Sequence, residues 1–219
     1  MRGGRGILNG EVFMKITATG HSGFLVELKY INFIFDYYTD KQNVVTPEIF
    51  KGKTTYVFVS HRHGDHFNKK IFGWDELGDV KYILDAGCKA PGDVKKTVAR
   101  EGGDFTVGDI NVKVYGSTDE GVSFLVAAEG VTLFHAGDLN DWYWADESTP
   151  EELAADEESY LKIIRALAGT AIDVAFIPED KRLKQHAGRG IRFFKEIVAP
   201  KTVVPMHFNG NDGRVYEVG

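Results

Sequence analysis

The segment Tyr56-Val-Phe-Val-Ser-His-Arg-His-Gly-Asp-His66 sets three imidazoles and a carboxylate directly behind a short apolar run. The aromatic and β-branched residues of that run predict a buried strand. Imidazoles and a carboxylate at the end of such a strand are costly to bury unless something binds them. They are good ligands for Zn²⁺ and similar ions, and Gly64 permits the turn that gathers them. This segment therefore predicts a metal site.

Two later segments have the same design. The segment 131–138 predicts a strand that ends in a Gly-Asp turn, and the segment 202–207 predicts a strand that ends in a histidine. If these strand ends lie on one edge of the sheets, their polar side chains converge on a single centre. The candidate metal ligands are then His61, His63, Asp65, His66, Asp138 and His207.

The rest of the chain predicts a sheet-rich α/β domain. Short apolar runs bounded by Gly, Asp and Asn are typical of strands. They lie at 15–19, 24–28, 31–35, 56–59, 81–84, 110–115, 122–127, 131–134, 172–177 and 202–206. The clearest helix is predicted over 149–168, where Thr149 can cap the first turn and Pro150 suits the first helical position. Shorter helices are predicted near 68–77 and 190–198.

Length and composition restrict the class of protein. With 219 residues, no repeat and no linker, we expect a single domain over 14–219, preceded by a disordered extension over 1–13. That extension carries basic residues but no apolar core of a signal peptide. Cys88 is the only cysteine, which excludes an intrachain disulfide and favours a cytoplasmic location.

Charge and hydropathy argue against two kinds of partner. The net charge of −6 is unlike the basic footprint of a nucleic-acid-binding protein. Apolar runs stay well below the ~20 residues that span a membrane. We therefore expect a small-molecule partner, and the sequence indicates no particular oligomeric state.

The ordered set of motifs resembles the metallo-β-lactamase superfamily. The similarity runs from about Met14 to His207, and Asp36 matches the early aspartate that supports the metal loop. The segments Gly20-His-Ser-Gly-Phe24 and Pro205-Met-His-Phe208 also resemble the branch of sugar-phosphate lactonase-like hydrolases. The resemblance implies an α/β (α+β) fold, a four-layer αββα sandwich with a two-metal site on one edge.

The resemblance also implies a role for each candidate ligand. It places His61 and His63 in a first subsite and leaves Asp138 to bridge to a second. The second subsite consists of Asp65, His66 and His207. Asp36 and His135 are expected to lie behind these ligands. The implied cofactor is one or two divalent ions, with Zn²⁺ expected first and Mn or Fe as alternatives.

One ligand of the family pattern is missing. The first subsite normally receives a third imidazole, yet no histidine lies between His66 and His135. The matching stretch is 114–121, where Ser117 takes the position of the imidazole and Asp119 lies nearby. Three alternatives stay open: Asp119 replaces the imidazole, the first subsite is weak and a single metal binds, or His135 moves in.

The expected reaction is hydrolysis by metal-activated water of a small anionic ester, lactone or phosphoester. Asp65 is expected to orient the water while it binds metal. His186 is the first candidate for proton donor to the leaving group and His21 the second, although either could be a structural histidine.

Substrate contacts are predicted from two loops. Lys181 and Arg182 belong to a cationic loop after a strand, which suits a phosphate or carboxylate group but is also compatible with a solvated surface. Trp142 follows the Gly-Asp turn, where it could stack a substrate ring or fasten the loop to the core.

Other functions are compatible with the same fold. A non-hydrolytic metal or ligand sensor is one alternative, supported by the missing histidine. A nucleic-acid-processing nuclease is another, although such proteins usually carry an added domain and a less acidic balance. Diiron redox chemistry is a third, and its branch of the superfamily places a glutamate where His63 stands.

Overall fold

A computed structural model describes residues 14–216 of the protein. The extension expected over 1–13 therefore lies outside the described residues. Ten of the described strands coincide with predicted runs, and the strands have the following bounds. They are β1 (Lys15–Gly20), β2 (Gly23–Glu27), β3 (Ile31–Phe35), β4 (Thr54–Val59), β5 (Val80–Asp85), β6 (Lys96–Ala99), β7 (Asp104–Val107), β8 (Ile110–Tyr115), β9 (Ser123–Ala128), β10 (Val131–His135), β11 (Val174–Pro178), β12 (Thr202–Met206) and β13 (Val215–Tyr216).

The helices follow their local sequence signals. Helix α1 (Pro150–Arg165) begins in a capping box, in which the Thr149 hydroxyl accepts the Glu152 N–H and the Glu152 carboxylate accepts the Thr149 N–H. Helix α2 (Arg189–Ile197) follows later in the chain. The predicted short helix near 68–77 is a 3₁₀ helix, Lys69–Glu76, and further 3₁₀ helices span Pro47–Phe50 and Lys181–His186.

Two sheets form the centre of the fold. The first has the strand order β13-β1-β2-β3-β4-β5-β6, and the second has the order β12-β11-β10-β9-β8-β7. Strands β3 to β6 are parallel to one another, as are β10 to β12. Parallel neighbours end at a common edge, so the residues after β3, β4, β10, β11 and β12 have the opportunity to meet.

The sheets pack face to face through aromatic side chains. Phe24 of the first sheet lies 4.5 Å from Phe176 of the second, and Phe58 lies 5.1 Å from Phe124, measured between ring centroids. Helices α1 and α2 cover the outer face of the second sheet, where Tyr160, Ile164 and Phe194 are buried.

The outer face of the first sheet is covered differently. Phe50, Ile71 and Trp74, all from 3₁₀ helices, pack there on strand residues such as Val57 and Leu84. The result is the four-layer order that the resemblance implies, with one outer layer made of short 3₁₀ helices. None of the helices in residues 14–216 is long and apolar enough to cross a membrane.

Candidate metal centre

Polar side chains from both sheets meet at the edge where the parallel strands end. Asp36 follows β3, the histidine-rich segment 60–66 follows β4, and Asp138 follows β10. Asp180 and His207 follow β11 and β12. The two sheets are linked here, because the His207 N–H donates to the His21 carbonyl at 3.2 Å.

Asp138 lies at the middle of this cluster. Its Oδ2 is 3.3 Å from His61 Nε2, and its Oδ1 is 3.1 Å from His66 Nε2 and 3.3 Å from His207 Nε2. One carboxylate therefore faces three imidazoles through both of its oxygens. Asp138 divides the cluster into two parts, which we call the His207 half (Asp65, His66 and His207) and the His63 half (His61 and His63).

The two histidines of the His207 half are buried and supported by carboxylates. His66 Nδ1–H donates to Asp36 at 2.8 Å, and His207 Nδ1 lies 3.1 Å from Asp180. Both aspartates are buried, as are both histidines. A carboxylate behind an imidazole fixes its tautomer, orients its other nitrogen and makes it a stronger ligand. The Nε2 atoms of His66 and His207 are thereby directed at Asp138.

The His63 half is supported more weakly. His61 Nδ1 lies 3.0 Å from the Ser60 hydroxyl, which donates to Asp36, so this imidazole has a hydroxyl behind it instead of a carboxylate. His63 Nε2 lies 2.8 Å from a Glu120 oxygen, and the His63 side chain is 47% exposed. Solvent reaches this contact, which weakens the electrostatic support that Glu120 gives.

The donor set fits a divalent cation. His61 Nε2, His66 Nε2 and Asp138 Oδ1 are buried and have no hydrogen-bond partner within the described part of the chain, although they lie close together. Unpaired buried polar atoms are costly, and a bound cation would pair all of them. The sets with ligand atoms within 4.8 Å of one another are His61-His63-Asp65, His61-His66-Asp138 and His21-Asp65-His66-His207.

The buried carboxylates raise the proton affinity of the imidazoles that face them. Burial alone would lower the pKa of His66, but the neighbouring carboxylates of Asp138 and Asp36 outweigh burial and raise the pKa to about 10. The pKa of His207 is raised to about 9 for the same reason, by Asp138 and Asp180. These imidazolium groups hold the pKa of Asp138 well below its usual range despite burial. A cation bound here would replace these protons.

Two neighbouring carboxylates lie next to Ser117, the expected position of the missing imidazole, and they have different surroundings. Asp119 lines the cavity above the cluster, and its N–H lies 3.2 Å from the Ser117 hydroxyl. The carboxylate that reaches His63 belongs to the next residue, Glu120. His135 is fully buried, with Nε2 2.9 Å from the Ser22 carbonyl and its ring stacked on Phe35. That packing holds His135 behind the ligands.

A cavity of about 690 Å³ opens above Asp138. Trp142 forms part of its wall, and the Trp142 Nε1–H donates to the Asp138 carbonyl at 3.0 Å, so this ring both borders the cavity and fastens the loop. Arg182 lines the same cavity and is paired with Asp180 through Nε at 2.8 Å. Lys181 lines a second cavity of about 360 Å³, together with His21.

The two predicted proton donors have different locations. His186 packs 4.7 Å from the Tyr143 ring and lines a separate pocket of about 40 Å³, apart from the ligand groups. His21 lies within the cluster, with its ring 4.3 Å from that of His207. Burial and the neighbouring imidazoles of His207 and His66 lower the pKa of His21 to about 4. His21 is therefore neutral near pH 7.

Three residues of the site are absent from the sequence-based prediction. Asp180 follows a parallel strand just as Asp138 does. The search for polar side chains directly after apolar runs, which identified Asp138, could therefore have identified Asp180 as well. Glu120 is adjacent to the predicted Asp119, and only the loop conformation decides which carboxylate reaches His63. Asn211 holds the His21 backbone from a turn after the last parallel strand, and no spacing in the sequence signals this contact.

An αββα sandwich with imidazoles and carboxylates gathered at one sheet edge defines a class of metal-binding proteins. The chain belongs to the beta-lactamase superfamily, since the family model "Beta-lactamase superfamily domain" matches residues 15–152. A protein named UPF0173 metal-dependent hydrolase from Carboxydothermus hydrogenoformans is 26% identical over 213 residues, covering 90% of this chain and 85% of its own length. A similarly named protein from Pyrococcus abyssi is 27% identical over 220 residues, with the same coverage.

Solved structures support the fold. A metallo hydrolase from Ignicoccus hospitalis superimposes with a TM-score of 0.58 at 19% identity, covering 90% of this chain and 83% of its own. A diiron beta-hydroxylase from Streptomyces venezuelae gives a TM-score of 0.60 at 13% identity, covering 89% of this chain and 45% of its own. The sandwich predicted from the sequence is therefore of the metallo-β-lactamase type.

Proposed function

We propose that the chain is a metal-dependent hydrolase of a small ester, lactone or phosphoester that bears an anionic group. One observation carries this proposal: buried imidazole and carboxylate atoms, unpaired among residues 14–216, converge below a cavity of about 690 Å³. Relatives that match across 90% of the chain are named metal-dependent hydrolases, which supports the same class of reaction.

The donor chemistry favours Zn²⁺, with Mn or Fe as alternatives. Imidazole and carboxylate together are the usual zinc ligands of hydrolytic sites. The His63 half and the His207 half would each hold one ion, with Asp138 between them. A divalent cation in this position polarises a carbonyl or phosphoryl oxygen and lowers the pKa of its water to about 7.

Asp65 is the residue best placed to orient the attacking water. Its carboxylate belongs to ligand groups of both halves, and its side chain is 49% exposed toward the cavities. A carboxylate in that position accepts a hydrogen bond from the water and directs the lone pair of the water toward the substrate. Trp142 encloses one side of this region, which limits access of bulk water.

The substrate class follows from the charges around the cavity. Arg182 offers an exposed guanidinium near the ligand cluster, which suits a phosphate or carboxylate group. Asp119 and Asp156 also line this cavity, and their carboxylates would repel an extended polyanion. A small substrate with a single anionic group therefore fits this cavity better than a nucleic acid.

A reconstitution experiment tests the function. Protein stripped with chelator and reloaded with Zn²⁺ or Mn²⁺ is expected to hydrolyse members of a panel of lactones and phosphoesters, while Asp138→Asn remains inactive. Simple phosphorylated sugars should inhibit competitively, and Arg182→Gln should raise KM more than it lowers kcat. Metal binding without turnover across the panel would favour the sensor alternative. Turnover that survives metal removal would contradict the proposal.

A further inference from the structure

His21 is held in an unusual backbone conformation by a dedicated clamp. Its φ of 56° lies in the left-handed region, which is uncommon for any residue other than glycine. Asn211 fixes this conformation from both sides, because the His21 N–H donates to Asn211 Oδ1 at 2.9 Å and Asn211 Nδ2 donates to the His21 carbonyl at 2.8 Å. Asn211 is buried, so the clamp is protected from water.

Similar strain occurs at other positions of the metal centre. His207 has a φ of 65° and Asp36 has a φ of 42°, so three of the strained residues belong to this one edge of the sheets. Strained backbone persists only where the surrounding structure holds it, and it is concentrated at functional sites. The clamp on His21 therefore serves to place its imidazole, in the same way that strain places His207.

The His21 side chain points its buried nitrogen at the metal ligands. His21 Nε2 has no hydrogen-bond partner among residues 14–216 and lies 3.5 Å from Asp65 Oδ2. Its ring centroid is 4.3 Å from that of His207 and 5.4 Å from that of His66. Ligand atoms of all four residues lie within 4.8 Å of one another, a spacing that one cation can span.

We infer that His21 is a metal ligand of the His207 half and not the proton donor to the leaving group. This inference rests on the proposed metal-dependent function. A proton donor must reach the substrate, whereas His21 Nε2 is buried among three other ligand atoms. The imidazole that is missing beside His63 thus has a counterpart on the opposite side of Asp138.

With His21 as a ligand, the two halves differ in their number of protein donors. His21, Asp65, His66 and His207 supply four donors besides the shared Asp138, whereas the His63 half has only His61 and His63 of its own. The His63 half has fewer protein donors and keeps room for water and substrate. The His207 half would therefore hold the tighter ion, while the His63 half would hold the ion that is more accessible to substrate.

Zinc affinity measured by chelator competition tests the inference in His21→Ala, His21→Gln and the matched control His186→Ala. We expect both His21 variants to weaken the tighter zinc-binding step, that of the His207 half, by about 100-fold or more. Loss of a group that only supports a ligand already costs about 10–100-fold in metal affinity, and loss of the ligand itself should cost at least as much. His186→Ala should bind as the unmodified protein does. Asn211→Ala, which keeps the imidazole but removes its clamp, should show a smaller loss of the same step.

Cobalt substitution separates a ligand from a merely structural residue. An imidazole bound to Co²⁺ gives a strongly shifted ring N–H resonance, so His21→Gln should lose one such resonance and His186→Ala none. Unchanged zinc affinity and an unchanged set of resonances in His21→Gln would overturn the inference. If the unmodified chain bound no zinc, the proposed function itself would fail. If the His21 variants failed to fold, retention of full affinity by Asn211→Ala would still count against the inference.

Discussion

The two halves of the metal centre differ in what stands behind their imidazoles. In the His207 half, both histidines have a buried carboxylate at Nδ1, from Asp36 and Asp180. In the His63 half, one imidazole has a hydroxyl behind it, and the other has a carboxylate in contact with solvent. Since buried carboxylates strengthen imidazole ligands, the comparison teaches that the two halves should bind metal with unequal affinity.

Replacing Asp138 should have the largest effect, because this carboxylate faces imidazoles of both halves. We expect Asp138→Ala to weaken both zinc-binding steps by more than about 100-fold and to abolish hydrolysis. Chelator competition and elemental analysis after gel filtration measure the loss. Asp146→Ala is the matched control, since Asp146 pairs with Lys184 in a loop away from the cluster. Two ions retained by Asp138→Ala would remove it from the bridging position.

Replacing Asp180 should affect the His207 half alone. We expect Asp180→Asn to weaken the tighter zinc-binding step about 10–100-fold, because His207 loses the carboxylate behind its Nδ1. The weaker step should be unchanged. Arg182→Gln is the control for the pairing that Asp180 also makes with Arg182. Equal weakening of both steps would show that the halves are not separable.

Replacing Glu120 should produce a smaller change, confined to the His63 half. We expect Glu120→Gln to weaken the second zinc-binding step about 10-fold, at the low end of the range for groups behind a ligand. Asp119→Asn is the adjacent control and should leave both steps unchanged. If Asp119→Asn weakened binding more than Glu120→Gln, Asp119 would be the carboxylate that replaces the imidazole.

Replacing Cys88 should leave zinc binding by both halves unchanged. Burial raises the pKa of its thiol to about 12, and the thiolate is the form that reacts with alkylating agents and binds metal. We therefore expect Cys88→Ala to bind zinc like the unmodified chain, and native protein to resist iodoacetamide at neutral pH. Rapid alkylation of Cys88, or a change in either zinc step, would show that the thiol is accessible.

The sequence could predict a sheet-rich α/β domain from its apolar runs and the convergence of Asp138 and His207 from their places at strand ends, whereas the four-layer sandwich followed from the resemblance to a known superfamily. Apolar runs lead into Asp138 and His207, and the structure shows that these runs belong to the parallel strands β10 to β12, which end on one edge. The strands β6, β7 and β13 escaped prediction because they are short and carry few apolar residues. The helix predicted near 68–77, on the outer face of the first sheet, is a 3₁₀ helix in the structure. Its side chains pack on that sheet, and sequence composition does not distinguish the two kinds of helix.

The remaining parts of the site depend on long-range contacts. Asn211 meets His21 across 190 residues, and Glu120 rather than Asp119 reaches His63 because of the conformation of a single loop. Gly121 allows that loop to approach the metal segment, since a Cβ there would lie 2.1 Å from the Ser60 carbonyl. Periodicity and motif spacing carry no information on such contacts.

A stepwise zinc titration of the metal-free chain, with elemental analysis at saturation, tests the unequal halves most directly. The structure predicts two ions per chain that bind in two resolved steps, with the tighter step sensitive to Asp180→Asn and the weaker step sensitive to Glu120→Gln. Two steps of equal affinity, or one ion whose binding is unaffected by Asp180→Asn, would contradict the account.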